Sequence, residues 1–351
     1  MTRGAVARDL DTLLDDVLLE SIALGREHAP VFGPNDVPLY DVLAYHLGFA
    51  NKRFEPRRLD AGKRIRPRLC VLACEAAGGA MSYAIHAAAA IELLHNFTLL
   101  HDDIQDQSPL RRHRPTVWRL WGVPQAINAG DAMFSLAHLA LNRAVEAGAN
   151  SSTVLSLSTE LHRTTLRIVE GQVLDVGFEA RDDVTSGEYL TMVTGKTAAI
   201  CRYACWAGAM LADASEAARD AFAGFGLALG IGFQLRDDLL GVWGDQAATG
   251  KAEADDIRRR KKSLPIIVVW ERASATDRTL LRELYAKPEL DQSDIARVLQ
   301  LMAHYEAQAA VQEQVSAWHA RALEALSDAH AAEPARTMLL NLVRSMESRR
   351  A

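Results

Sequence analysis

Residues 83–100 read YAIHAAAAIELLHNFTLL. Drawn as a helix, they are apolar around almost the whole circumference, as expected of a helix buried on every side. The apolar run ends in Leu99-Leu100-His101-Asp102-Asp103-Ile104-Gln105-Asp106. Asp102 and Asp106 are four apart and share a helix face, ~6 Å apart along the axis. Aspartate is a weak helix former and like charges at this spacing repel. Such a cluster at the end of a buried helix implies a cation to hold.

Working outward, residues 9–25 predict an amphipathic helix, a turn-rich loop follows at 30–34, and 37–48 predict a second helix. Residues 51–62 are a polar connection. Residues 210–232 lead into a second central helix expected to end near Asp238, and 278–349 predict ordinary amphipathic helices. No alternating β pattern and no Asn-Gly or Asp-Gly hairpin signal is present. The fold class expected is all-α, a large single-domain helical bundle around a central cavity, with residues 1–36 as an N-terminal helical extension and 37–351 as the catalytic domain.

Composition narrows the class. The chain is 49% hydrophobic, 24% charged and carries a net charge of −6, which gives no global attraction for nucleic acid or an anionic membrane. The opening residues mix acids into the apolar positions, unlike a signal or transit peptide, and no run is long and apolar enough for a transmembrane segment. A cytoplasmic protein is expected. Cys70/Cys74 and Cys201/Cys205 pair at helical spacing and read as small buried thiols.

A second acidic pair, Asp237-Asp238, again lies in an apolar helical context. Two carboxylate clusters suit a hard divalent ion such as Mg2+, which takes one or two carboxylates and fills its other positions with water and phosphate. Basic clusters then supply an anion site. Lys63 and Arg66 open a helix, where backbone N–H groups already favour an anion. Arg111 and Arg112 follow the first acidic cluster, Lys196 follows Gly195, Lys251 follows Gly250, and residues 258–262 are five consecutive cations. The acidic clusters and the lack of an aromatic stacking platform argue against nucleic acid.

These motifs occur in one order: GKRIRP at Gly62, HDDIQD at His101, RRHRPTVW at Arg111, GQVLD at Gly171, GKT at Gly195, FQLRDDLLGVWGD at Phe233 and GKAEADDIRRRKKSLP at Gly250. Together they resemble the trans-isoprenyl diphosphate synthases (polyprenyl synthetases), most of all bacterial geranylgeranyl diphosphate synthases. The resemblance implies the isoprenoid synthase fold, a homodimer, and head-to-tail condensation of isopentenyl diphosphate with an allylic diphosphate. It implies that Asp102, Asp106 and Asp237 ligate about three Mg2+, with Asp103 and Asp238 supporting from behind. Arg111, Lys196, Gln234, Lys251 and Lys261 would grip the allylic diphosphate, and Lys63, Arg66, His95 and Arg112 isopentenyl diphosphate. Thr197 and Gln172 would face the developing cation. Phe97, five before Asp102, would set chain length and favour a twenty-carbon product.

The sequence departs from the family pattern where Gly241 replaces a third aspartate. Glycines are also missing at His113, Ala254 and Arg260, where a positive φ would burden any side chain. Those losses leave open a low-activity or non-catalytic subunit of a heteromeric synthase. A class I terpene cyclase is the remaining alternative.

Overall fold

The computed structural model describes residues 3–347 except 28, 32, 34, 35 and 245–253, with side chains from Leu10 to Met346. The chain divides into two compact units, one of residues 1–162 and 204–219 and the other of 163–203 and 220–351. It is 76% helical, which makes the fold all-α as expected.

In the first unit the elements are α1 (Arg3–Arg26), α2 (Leu39–Leu47), α3 (Ile65–Ala76), α4 (Met81–Gln105), a hairpin of β1 (Leu110–Arg111) and β2 (Arg114–Pro115), α5 (Val117–Trp121) and α6 (Val123–Asn142). Helix α4 lies at the centre, packed on α1, α3 and α6. Ala84, Ala87 to Ile91, Leu93 and Leu94 are all buried, and the alanine run lets neighbours approach from every side. Helix α1 therefore packs as part of this unit. Cys70 and Cys74 of α3 are buried free thiols. A β-carbon at Gly208 would lie 2.1 Å from the Cys70 carbonyl oxygen, so that glycine permits a close crossing.

Helices α7 (Ser151–Glu179), α9 (Ala199–Leu211) and α10 (Glu216–Trp243) have residues in both units. The second unit adds α8 (Ser186–Val193), a π-helical turn at Thr194–Ala198, α11 (Asp255–Arg258), α12 (Leu264–Arg272), α13 (Ala275–Tyr285), α14 (Gln292–His304), α15 (Ala307–Asp328) and α16 (Ala335–Glu347). Its core gathers Tyr189, Leu235, Leu239, Ile257, Leu264 and Val311, among others. Among the described residues no helix is long and apolar enough to cross a membrane.

Two expectations change. Helix α10 begins at Glu216 and continues past Asp238 to Trp243, because the apolar pattern carries on through Leu239, Leu240 and Val242. A hairpin also exists where no strand was expected. Leu110 pairs with Pro115 and Arg111 with Arg114, leaving Arg112 and His113 as a two-residue loop. Both loop residues have positive φ, 50° and 59°, the signature of a type I′ turn made here without asparagine or glycine.

Candidate functional site

In the first unit, the end of α4 and the hairpin bring acids and cations together. Asp103 is buried, and its Oδ1 accepts from Arg111 Nε at 2.8 Å and Nη2 at 2.7 Å. The same guanidinium stands 3.6 Å from Asp102. Burial raises the Asp103 pKa, and Arg111 works against that rise. Asp106 caps α4, its N–H bonded to the Asp102 carbonyl at 2.8 Å, and is exposed.

Behind this edge lies a concentration of half-buried arginines. Arg66 Nη1 is 3.2 Å from His95 Nε2. His95 lies well below its usual range, first through burial and then through Arg66, Arg112 and Arg111. His46 is depressed in the same way. Burial also lowers the Arg112 pKa, with Glu92 the largest opposing influence. A β-carbon at Gly62 would stand 2.9 Å from the Arg112 guanidinium, so Gly62 makes room for that side chain. His46, Asp103, Arg111, Arg112 and Arg114 line a small recess. Low dielectric and crowded cations make this a pocket that favours an anion. Lys63 is exposed.

Phe97 lies in a column of rings in the same unit. Its centroid is 4.9 Å from His101 and 5.3 Å from Phe134. Phe134 in turn meets His138 edge-on at 4.7 Å, and His138 stacks on His162 at 4.0 Å.

In the second unit, a hydrogen-bond chain ties the predicted residues together. Thr197 Oγ1 donates to Gln234 Oε1 at 3.0 Å, and Gln234 Nε2 donates to Asp238 Oδ1 at 3.1 Å. The other Asp238 oxygen accepts from the Leu264 N–H at 3.1 Å and from the Tyr189 hydroxyl. Asp238 is thereby fixed at 1% exposure while Asp237 beside it is only partly buried. Lys196 Nζ meets Asp175 at 2.5 Å. The π turn and glycine contacts set that geometry. A β-carbon at Gly171 would lie 2.2 Å from the Lys196 nitrogen, and one at Gly195 would lie 2.6 Å from the Arg167 carbonyl oxygen. Gln172 is partly buried on α7 one residue beyond that crossing, and Lys261 is exposed. Lys251 lies outside the described residues.

Tyr189 belongs to this hydrogen-bond chain, and motif reading passed over it. Its hydroxyl is buried beside Asp238, and burial, then Asp238, holds its pKa well above the usual phenol range. A tyrosine in the apolar part of a helix generally needs a partner for its hydroxyl, which was the available signal. Asp256 is another. Its carboxylate sits against Gly241, where a β-carbon would be 2.4 Å from Oδ2. The missing third aspartate thus leaves room that Asp256 already occupies.

The missing glycines meet the condition set for them. His113, Ala254 and Arg260 have φ of 59°, 53° and 55°. After α11, Arg260 N–H bonds to the Ile257 carbonyl and Lys261 N–H to the Asp256 carbonyl, each at 2.9 Å. This is a Schellman closure with arginine where glycine is usual.

The donors offered to a metal are aspartate oxygens, suited to a hard ion. Asp103 Oδ2 is buried without a hydrogen-bond partner, a place that a cation or its water would satisfy. Among the described residues no three acidic, His or Cys side chains form a ready-made cage. Aspartate oxygens fit a hard ion such as Mg2+, which completes its shell with water and phosphate.

An all-helical bundle carrying aspartate pairs on its helices and half-buried arginines beside them has the isoprenoid synthase fold. The polyprenyl synthetase family profile matches residues 57–302, and the chain belongs to that family. It is 44% identical over 231 residues to (2E,6E)-farnesyl diphosphate synthase of Mycobacterium tuberculosis, a match that spans 66% of this chain and 63% of that protein. Among solved structures, a polyprenyl synthetase from Streptomyces coelicolor aligns with a TM-score of 0.86 at 33% identity, covering 97% of this chain and 98% of that one. A geranylgeranyl pyrophosphate synthase from Corynebacterium glutamicum, complexed with isoprenyl diphosphate and magnesium, aligns with a TM-score of 0.82 at 27% identity over 97% and 99% of the two chains.

Proposed function

We propose that this chain is a head-to-tail prenyl diphosphate synthase that joins isopentenyl diphosphate to an allylic diphosphate and yields chiefly geranylgeranyl diphosphate. The observation that carries the reading is the crowding of half-buried arginines, Arg66, Arg111 and Arg112, around a neutral His95 behind the aspartate-rich end of α4. A structural core has little use for such a crowding of charge, whereas a diphosphate would neutralise it.

In this reading Asp102, Asp106 and Asp237 hold magnesium, which when bound would offset charge developing on the departing diphosphate. Asp103, pinned by Arg111, and Asp238, pinned by Tyr189, Gln234 and Leu264, keep the neighbouring ligands in place. Arg111, Lys196, Gln234, Lys251 and Lys261 bind the allylic diphosphate. Lys63, Arg66, His95 and Arg112 bind isopentenyl diphosphate, and Thr197 and Gln172 face the allylic carbon. Holding the nucleophilic double bond beside that carbon removes most of the orientational cost of the reaction. Phe97 and Phe134 close the chain-length path.

We also infer a homodimer. Leu166, Val169, Val173 and Val176 on α7 are exposed at 62%, 46%, 66% and 48%. They recur at three- and four-residue steps, a helix stripe that favours a covering surface. Residues 37–351 would be the catalytic domain, with 1–36 as its extension.

The test is incubation of the purified chain with magnesium, labelled isopentenyl diphosphate and five-, ten- or fifteen-carbon allylic primers, followed by sizing of the products. Asp102→Ala and Asp237→Ala should each abolish turnover, and near-normal turnover in either would refute the metal assignment. Hydrocarbon formed from an allylic diphosphate alone would indicate a cyclase. The left-handed His113, Ala254 and Arg260 favour a second reading, a subunit with little turnover of its own, for which an inert chain activated by a partner would speak.

A further inference from the structure

Helix α1 lies outside the residues matched by the family profile, yet it is bonded to the first basic motif. Asp11 and Asp15 are one turn apart on α1, and Arg64 and Arg68 are one turn apart at the start of α3. Asp11 accepts Arg68 Nη2 on both oxygens, at 2.8 and 2.6 Å. Asp15 meets Arg64 at 2.5 Å, and each of those side chains is only 8% exposed. The same Asp15 carboxylate stands 3.1 Å from Arg58.

Arg58 and Arg64 bracket the segment that presents Lys63. Within it, Gly62 has φ 81° and Arg64 φ 47°, two left-handed residues flanking Lys63. The Gly62 N–H donates to Asp60 Oδ1 at 2.7 Å. A non-glycine residue resists the left-handed conformation, so Arg64 needs an outside restraint to stay there. A buried arginine needs a countercharge as well. Asp15 supplies both.

We infer that Asp15 is a positioning residue. It clamps both ends of the 58–64 segment, so that Lys63 and Arg66 meet the diphosphate of isopentenyl diphosphate in a fixed geometry. The inference rests on Lys63 and Arg66 binding that substrate, as proposed above.

The experiment compares the full chain with Asp15→Asn, Asp15→Glu and Asp41→Asn. Asp41 pairs with Arg26, another α1 residue, and not with a cation of the segment. KM is measured separately for isopentenyl and allylic diphosphates, and amide exchange is followed over residues 58–68. Asp15→Asn should raise KM for isopentenyl diphosphate on the order of tenfold, leave the allylic KM within about twofold, and speed exchange over the segment. Asp15→Glu keeps the charge one methylene away, so it should fold even where the asparagine variant fails and give an intermediate KM. Asp41→Asn should match the parent. Unchanged exchange over 58–68, or equal movement of both KM values, overturns the inference. Arg66→Ala separates the two claims: if it spares the isopentenyl KM, the substrate assignment fails, while the exchange data still decide whether Asp15 clamps the segment.

Discussion

Restoring the third aspartate of the second acidic motif, Gly241→Asp, should harm this protein. Family habit suggests the opposite, because an added carboxylate would extend the metal-binding set. A β-carbon at Gly241 would lie 2.4 Å from Asp256 Oδ2, 2.5 Å from Cγ and 2.7 Å from Oδ1. Asp256 is 6% exposed and belongs to a four-residue helix flanked by left-handed Ala254 and Arg260, so it has little freedom to retreat. The methyl of Gly241→Ala alone should cost about 1–3 kcal/mol in overpacking, reduced by the ~0.5–1 kcal/mol that alanine gains over glycine in a helix. A second carboxylate within ~4 Å of the first adds about 4 kcal/mol of repulsion at an effective dielectric of 20, until one of them takes up a proton. Apparent melting temperatures should therefore fall in the order parent, Gly241→Ala, Gly241→Asp. A Gly241→Asp variant that melts with the parent, or that lowers the magnesium needed for half-maximal turnover, would refute the packing argument.

Replacing His113 with glycine should raise stability by about 0.5–1 kcal/mol, the relief of ~1–2 kcal/mol of left-handed strain less the entropy glycine adds to the unfolded chain. Ala254→Gly should gain less, since it also surrenders a buried methyl, and thermal melts of both variants check the two signs. His138 is lowered from 6.5 to about 4, by burial first and then by His162. The unfolded chain therefore binds the extra proton first, and His138 contributes stability that is whole above pH 6.5 and lost as pH falls towards about 4. His138→Gln should flatten that part of a pH–stability profile measured by urea unfolding. Phe97→Ala should lengthen the product, and an unchanged product on chromatography would remove Phe97 from the chain-length path.

The parts legible in the sequence were those encoded locally. The apolar circumference of 83–100 fixes α4 as the centre of its unit, and four-residue spacing places Asp102 above Asp106 without knowledge of any neighbour. The cationic motifs were equally readable, and Arg66 does reach His95. Long-range pairings were not readable. Tyr189 and Asp238 are 49 residues apart, and nothing near either names the other. The 110–115 hairpin escaped because its strands are two residues long and its turn lacks the asparagine or glycine that usually announces one. In the sequence Gly241 stood only as a replaced aspartate, and the position of Asp256 shows it to be a packing requirement.

The π turn at Thr194–Ala198 carries a consequence for editing the chain. A turn of this kind holds about one residue beyond α-helical need. Deleting a single residue from it would let Ser186 to Leu211 run on as uninterrupted α-helix, with the faces on either side keeping their present phase. Elsewhere in a buried helix the same deletion would rotate everything downstream by roughly 100°. Here the loss would fall on the aim of Lys196 and Thr197, so folding and the substrate role proposed for these two residues are separable by one codon.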